Sequence, residues 1–331
     1  MSSDEFFNMS VGILHLDIVV PCYNEAECIK KFFDKTTEAL DTTEFRSRWS
    51  IIFVDDGSTD DTLTEIKCLA EKYGNEAVKY ISFSRNFGKE AAMYAGLSRS
   101  TGELVALMDA DLQHPPALLP QMISYLGKGY DCCGAKRRTR TGEAKLRSIL
   151  SKIFYRAVNR MTTIQLTQGG SDFRVMTRNV VDAILSLDES ERFTKGIFSW
   201  VGFKTYWIEY DNVEREAGTS KWSLKSLANY SFSCFMSFSR DPFQVPLIVG
   251  GVISLISLVI LTVSFVEVGL QGLNPFVQVR LFLSALFLLG GGICFLISLC
   301  GEYVLRIYQE VKKRPHYIAK ETNIEQADHI Q

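Results

Sequence analysis

Asp109-Ala110-Asp111 is where residue type and spacing in this chain speak most directly of chemistry. The two carboxylates follow the apolar run Leu104 to Met108 and precede the break at Pro115-Pro116, so a kinked turn lets both face one hard cation. Mg²⁺ and Mn²⁺ take oxygen ligands and share them with substrate phosphates. Gln113 offers a neutral oxygen two residues further on. A cation held there would neutralise charge developing on a leaving diphosphate. A second acidic cluster, Asp55-Asp56-Gly57-Ser58-Thr59-Asp60, also follows an apolar run. A carboxylate here suits the N3–H of a uracil or a ribose hydroxyl, and Ser58 or Asp60 suits capping of the next helix. A solvated turn or a helix cap is the plainer account of either cluster taken alone. Neither GxGxxG nor GxxxxGK[ST] occurs, so dinucleotide and P-loop readings lose their main support.

Such carboxylates need a frame. The first ~215 residues alternate short apolar runs with helix-like stretches. Leu16 to Val20 is followed by a helix to about Leu40, Ser50 to Val54 by one over Thr62 to Tyr73, and Val78 to Phe83 by one over Lys89 to Arg99. Leu104 to Met108 is the fourth run. Continuously apolar strands of this kind predict an α/β domain with a mainly parallel sheet covered on both faces. Ligands of such sheets bind beyond the carboxyl ends of the strands. Glu25, Asp55/Asp56 and Asp109/Asp111 all stand at those ends, which predicts one shared crevice.

Charge is distributed unevenly along the 331 residues. Between Val245 and Cys300 the only charged residues are Glu267 and Arg280. Residues 245–266 and 281–300 each match the roughly 20 residues that cross a bilayer, with a turn between them at Gly269, Gly272, Asn274 and Pro275. A buried hairpin in a soluble core is the alternative. Lys221, Lys225 and Arg240 before the first run, and Arg306, Lys312, Lys313 and Arg314 after the second, predict both termini on the cytoplasmic side of a cell membrane. Trp222 to Arg240 mixes aromatic and polar residues as an interfacial helix does. The expected organisation is a catalytic domain over 1–215, an acceptor loop with interfacial helices over 216–243, two spans within 244–301 and a cytoplasmic tail over 302–331. A net charge of −2 argues against nucleic-acid binding. The eight cysteines form no CxxC pair, which fits a reducing compartment, and the N-terminal stretch lacks the pattern of a signal peptide.

Val20-Pro-Cys-Tyr-Asn-Glu-Ala-Glu27, Val54-Asp-Asp-Gly-Ser-Thr-Asp60, Ser84-Arg-Asn-Phe-Gly-Lys89 and Met108-Asp-Ala-Asp-Leu-Gln-His-Pro-Pro116 together resemble glycosyltransferase family 2, of GT-A fold. The nearer likeness is to its polyprenyl-phosphate branch, the dolichol-phosphate mannose synthases and bactoprenol glucosyltransferases. Gln168-Gly-Gly-Ser-Asp-Phe-Arg174, Arg215-Glu-Ala-Gly-Thr-Ser-Lys-Trp222 and Gly301-Glu-Tyr-Val-Leu-Arg-Ile-Tyr308 are similar to the bacterial two-span type. The resemblance implies that Pro21, Tyr23 and Glu25 line a nucleoside pocket, that Asp55 and Asp56 serve nucleotide binding, and that Asp109, Asp111 and Gln113 form a DxDxQ site for Mg²⁺ or Mn²⁺. It also implies that Arg137, Arg147, Ser151, Ser220 and Lys221 bind the acceptor phosphate, with Arg215 in a loop over the diphosphate, and that Asp172, Asp111 and Arg215 are catalytic. The processive relatives' QxxRW motif is absent, which implies one sugar per acceptor.

The implied reaction moves one hexose, with inversion, from a nucleotide-sugar to polyprenyl phosphate such as undecaprenyl phosphate. The product would be a lipid-linked sugar for cell-envelope glycosylation. UDP-glucose leads, then UDP-N-acetylglucosamine, then GDP-mannose. Resemblance to the two-span type implies a homotetramer; a flippase and a downstream glycosyltransferase are the expected partners. A lipid monophosphate is already anionic near neutral pH, so Asp172 reads from chemistry as a group that orients a sugar hydroxyl or stabilises charge at the anomeric carbon. Family resemblance assigns it the role of base. A two-carboxylate hydrolase, a non-catalytic membrane scaffold and a small flippase are the competing classes. Metal dependence separates the first from a transferase.

Overall fold

The computed structural model describes residues 14–41, 48–138, 170–187, 189, 192–210, 259–260, 262–264, 266–268, 270 and 275–324. The chain divides into two units, Met1–Phe238 with Pro315–Gln331, and Ser239–Arg314.

The first unit is built on an eight-stranded sheet. β1 (Leu16–Cys22), β2 (Trp49–Asp55), β3 (Val78–Phe83) and β4 (Leu104–Leu107) alternate with α1 (Ala26–Asp41), α2 (Thr62–Tyr73) and α3 (Lys89–Arg99). α4 (Leu119–Leu126), β5 (Cys132–Arg137), β6 (Gly170–Thr177), α5 (Arg178–Leu185), α6 (Thr194–Trp200) and β7 (Thr205–Tyr210) follow. The last strand, β8, is Ala319–Thr322. Spatial order is β7-β5-β6-β4-β1-β2-β3-β8. The β4-β1-β2-β3 portion is parallel, β5 and β7 are parallel to each other, and β6 and β8 run antiparallel to their neighbours. The domain is thus α/β with a mixed, mostly parallel sheet, and the expected strand and helix positions over 16–107 agree to within two residues.

Side-chain alternation shows why these strands read as continuously apolar. Ile18, Val20, Ile51, Phe53, Leu104 and Ala106 join the core that holds Phe32 and Phe33 of α1, while Val19, Ile52, Val54, Val105 and Leu107 join a second core with Met93 of α3 and Val181 of α5. Successive residues of a strand point to opposite faces, so covering both faces demands apolar residues at nearly every position. Asp17 breaks the run but is fully buried. It accepts hydrogen bonds from Ser50 Oγ at 2.5 Å and from the Thr101 and Gly102 amides at 2.6 and 2.7 Å. Burial alone would raise its carboxyl; bonds from His15, Ser50 and Gly102 overcome that and hold it well below the usual carboxylate range.

β8 departs from the plain tail expected over 302–331. It pairs with β3, aligning Ile81 with Thr322 and Ser82 with Glu321. Lys67 of α2 bonds Glu321 at 2.7 Å, and Tyr317 stacks on Phe83 with ring centroids 4.8 Å apart. The strand's sequence, Ala-Lys-Glu-Thr, is polar and short, so it carries no alternation to announce it.

In the second unit α7, Pro275–Lys312, is a helix of 38 residues, about 57 Å long. The sequence-derived second span falls within it; most of the first lies outside the described residues. Among the described residues no helix is long and apolar enough to cross a membrane. Phe282, Leu286, Leu289, Ile293 and Ile297 of α7 are exposed. Arg280 and Glu267, the two charges of the apolar stretch, pair with one another, and Arg280 also bonds Ser264 at 3.1 Å.

Candidate active site

The loops at the carboxyl ends of β1, β2, β3 and β4 enclose a crevice of about 320 Å³. Its wall includes Pro21 near the end of β1 with Tyr23 and Glu25 beyond it, Asp56 after β2, Asn86, Gly88 and Lys89 after β3, and Asp109, Asp111 and Gln113 after β4. The convergence expected from strand ends is therefore present.

Local hydrogen bonds fix these loops. The Asn24 amide donates to Ser58 Oγ at 2.9 Å, the Glu25 amide to Thr62 Oγ1 at 2.8 Å, and the Thr59 amide to Asn24 Oδ1 at 2.8 Å. The Pro-Cys-Tyr-Asn-Glu and Asp-Asp-Gly-Ser-Thr segments thus clasp each other. Asn24 takes a left-handed φ of 53°, which asparagine tolerates better than most residues. Gly57 has φ +67°, and a Cβ there would stand 2.4 Å from the Arg85 carbonyl carbon, so no larger residue fits.

The adjacent aspartates divide their work. Asp55 accepts from the Ser58 amide at 3.0 Å and Ser82 Oγ at 2.8 Å and does not line the crevice. These bonds make Asp55 a brace between the end of β2 and β3. Asp56 does face the crevice. It accepts from the Phe87 amide at 2.7 Å and from the Gly88 amide at 3.1 and 3.0 Å on its two oxygens. Burial pushes its carboxyl up to about 6 against the pull of these bonds.

In the β4 loop, Leu112 has a left-handed φ of 57°. That rare conformation for leucine is the kink that brings Asp109, Asp111 and Gln113 to one crevice wall. The Gln113 amide donates to Asp111 Oδ1 at 3.1 Å, and Arg137 Nη2 donates to Gln113 Oε1 at 3.1 Å. Arg137, expected near the acceptor phosphate, is thus beside the acidic loop, where Tyr210 OH also accepts from its Nε at 3.3 Å. Arg147, Ser151, Arg215, Ser220 and Lys221 lie outside the described residues.

Lys89 and His114 stand within these motifs with no role that residue type or spacing assigns. Lys89 Nζ lies 2.6 Å from Asp109 Oδ1 and 2.8 Å from Asp172 Oδ2, joining the β4 loop to β6. Burial works against its charge, and the two carboxylates more than offset this, holding the ammonium well above the usual lysine range. Asp172 has a further cation, Lys195 Nζ, at 3.8 Å. Burial would raise the Asp172 carboxyl; Lys195 and Lys89 instead hold it far below the usual range. Flanked by the two ammonium groups, Asp172 offers carboxylate oxygens that can orient a hydroxyl. His114 is 2 % exposed, with neither ring nitrogen hydrogen-bonded among the described residues, and its Nδ1 is 3.9 Å from Asp109 Oδ2. Burial lowers its basicity, so it faces Asp109 as a neutral ring. A lone lysine at a helix start and a histidine before two prolines carry no pattern of their own. Only the fold places them.

Among the described residues no group of three or more His, Cys, Asp or Glu is arranged as a metal site. Asp109, Asp111 and Gln113 offer two carboxylates and one amide oxygen on one wall. That donor set fits a hard divalent ion that takes its remaining ligands from a diphosphate and water, as Mg²⁺ commonly does.

The model of the glycosyl transferase family 2 domain matches residues 17–185. The chain belongs to that family. The family-2 match takes in every acidic residue of the crevice and Asp172. It extends beyond the domain in whole-chain relatives. A Bacillus subtilis (strain 168) protein described as a glycosyltransferase, CsbB, is 42% identical over 95% of this chain and 93% of its own. The SfII prophage-derived bactoprenol glucosyl transferase of Shigella flexneri is 36% identical over 94% of this chain and 99% of its own. The mannosyltransferase PcManGT of Pyrobaculum calidifontis, solved with GDP-Man and Mn²⁺, covers 94% of this chain and 96% of its own, with TM-score 0.49 and 15% identity. As a family 2 member this chain is a glycosyltransferase, and its α/β unit is GT-A-like.

Proposed function

We propose that the chain transfers one glucose, with inversion, from UDP-glucose to undecaprenyl phosphate or a similar polyprenyl phosphate. The product is a lipid-linked sugar that a flippase and a second transferase would carry into cell-envelope glycans. The observation that carries the reading is the convergence of Asp56, Asp109, Asp111, Gln113 and Asp172-bound Lys89 on a single crevice at the strand ends. The bactoprenol glucosyl transferase name of a relative aligned over nearly its whole length supports the sugar and acceptor.

In this reading Pro21, Tyr23, Glu25 and Asp56 hold the nucleoside, and Asp109, Asp111 and Gln113 hold Mg²⁺ or Mn²⁺. When bound, the cation offsets charge on the departing diphosphate. Asp172, kept ionised by Lys89 and Lys195, orients a sugar hydroxyl. The acceptor phosphate needs no base because it is already an anion, so positioning and charge shielding supply most of the catalysis. Arg137, Arg147, Ser151, Arg215, Ser220 and Lys221 are assigned to the two phosphates, since guanidinium and ammonium groups are their natural partners and serine hydroxyls can donate to the same oxygens. Two spans around 245–266 and 281–300 would hold the crevice at the cytoplasmic face of the membrane. The exposed apolar side chains of α7 and the mutual pairing of Arg280 with Glu267 support that placement. The homotetramer remains part of the proposal by resemblance alone.

The test supplies purified full-length protein with undecaprenyl phosphate and labelled UDP-glucose, UDP-N-acetylglucosamine or GDP-mannose, with Mn²⁺, Mg²⁺ or EDTA. Lipid-extractable label is expected from UDP-glucose, dependent on metal, and reduced about 100-fold or more in Asp111→Asn. Label from GDP-mannose alone would move the chain to the mannose-synthase reading. No lipid-linked product from any donor would remove the transfer to polyprenyl phosphate.

A further inference from the structure

We propose that Lys89 is a resident counter-cation that competes with the divalent ion for Asp109, so that metal and donor diphosphate bind cooperatively. The inference rests on reading Asp109, Asp111 and Gln113 as the metal site.

Lys89 Nζ makes short contacts to two carboxylates from separate strands or strand ends, Asp109 at 2.6 Å and Asp172 at 2.8 Å. Charge-assisted bonds of this length are among the strongest that side chains make. The backbone carrying Lys89 is itself fixed, because the preceding Phe87 and Gly88 amides are both held by Asp56. The other oxygen of Asp109 points toward the buried His114 ring, 3.9 Å away. Lys89 and Asp109 both line the crevice, and Oδ1 of Asp109 is the oxygen Lys89 holds. A divalent ion on that oxygen would stand close to the ammonium, and the like charges would repel across a partly buried site.

Two outcomes follow from this geometry. A divalent ion alone must work against Lys89. A nucleoside diphosphate brings negative charge that screens the two cations from each other and offers the ammonium another partner, so it strengthens metal binding. The coupling is reciprocal, as any linkage between two ligands must be. Lys89 is accordingly a positioning residue, acting through Asp109 and Asp172.

The experiment titrates the full-length chain with Mn²⁺, following the paramagnetic resonance signal of free ion, with and without UDP. Wild type is compared with Lys89→Met, Lys89→Gln and Lys89→Arg. Either neutral replacement is expected to tighten Mn²⁺ binding without UDP by about 5-fold or more and to shrink the enhancement UDP produces. Lys89→Arg, which keeps the charge, is expected to stay near wild type. Folded neutral variants that bind Mn²⁺ no tighter than wild type overturn the proposal, and two replacements of different polarity guard against one misfolding. Asp111→Asn in each background separates the two readings. Loss of Mn²⁺ there upholds the metal site whichever way Lys89 behaves, and Mn²⁺ binding indifferent to Asp111 removes the site itself.

Discussion

At the scale of single residues, the carboxylates of the crevice are distinguished by what surrounds them, and Asp56 shows how that becomes measurable. Its carboxyl, lifted by burial to about 6, is protonated more readily in the folded chain than in the unfolded one. Between roughly pH 4 and 6 the folded state therefore holds a proton that the unfolded state has released, and raising pH across that window costs stability. The cost is on the order of 3 kcal/mol at most. Asp56→Asn is expected to remove this slope, read as the difference between urea midpoints at pH 4 and pH 7. If the ionised form accepts an N–H from the base of the donor, donor affinity falls below pH 6 in wild type and stays flat in the variant. A wild-type affinity that does not change through pH 6 would take Asp56 away from the base. The motif residues were legible in the sequence; their division of labour was not. Two adjacent aspartates cannot both point one way from an extended strand, and only the fold reveals that Asp55 is the one turned to Ser82.

At the scale of elements, the parallel strands and their helices could be placed because each strand is buried on both faces and reads as an apolar run. β8 could not, because an exposed edge strand of four residues gains its stability from backbone pairing and a few side-chain contacts. Its effect reaches further than its length. Tyr317 stacks on Phe83, Phe83 meets Phe87 edge to face at 5.7 Å, and the Phe87 amide holds Asp56. A chain of contacts thus runs from the sheet edge to the crevice wall. Tyr317→Ala is expected to cost about 1–2 kcal/mol of stability, from lost stacking and burial. It should also speed hydrogen exchange at the Phe87 and Gly88 amides more than at the distant Thr101 and Gly102 amides bound by Asp17. Equal acceleration at both places would mean that β8 supports the fold without favouring the site.

At the scale of the whole molecule, the notable feature is that one sheet contains both the catalytic strands and the strand that follows α7. Cys68 on α2 and Lys320 on β8 are both exposed on this first unit. In sealed vesicles, a reagent that cannot pass the bilayer should modify Cys68 and an introduced Lys320→Cys together, or neither. Labelling of one without the other would break the pairing of β8 with β3. The deeper consequence concerns counting. A chain that leaves a sheet at one end and rejoins that same sheet at the other has returned to its starting side. Any bilayer crossings between Ser239 and Arg314 would therefore come in an even number. Hydropathy can argue for two, and charge can argue for a direction, but the hydrogen bonds between β3 and β8 forbid one or three on grounds that owe nothing to either.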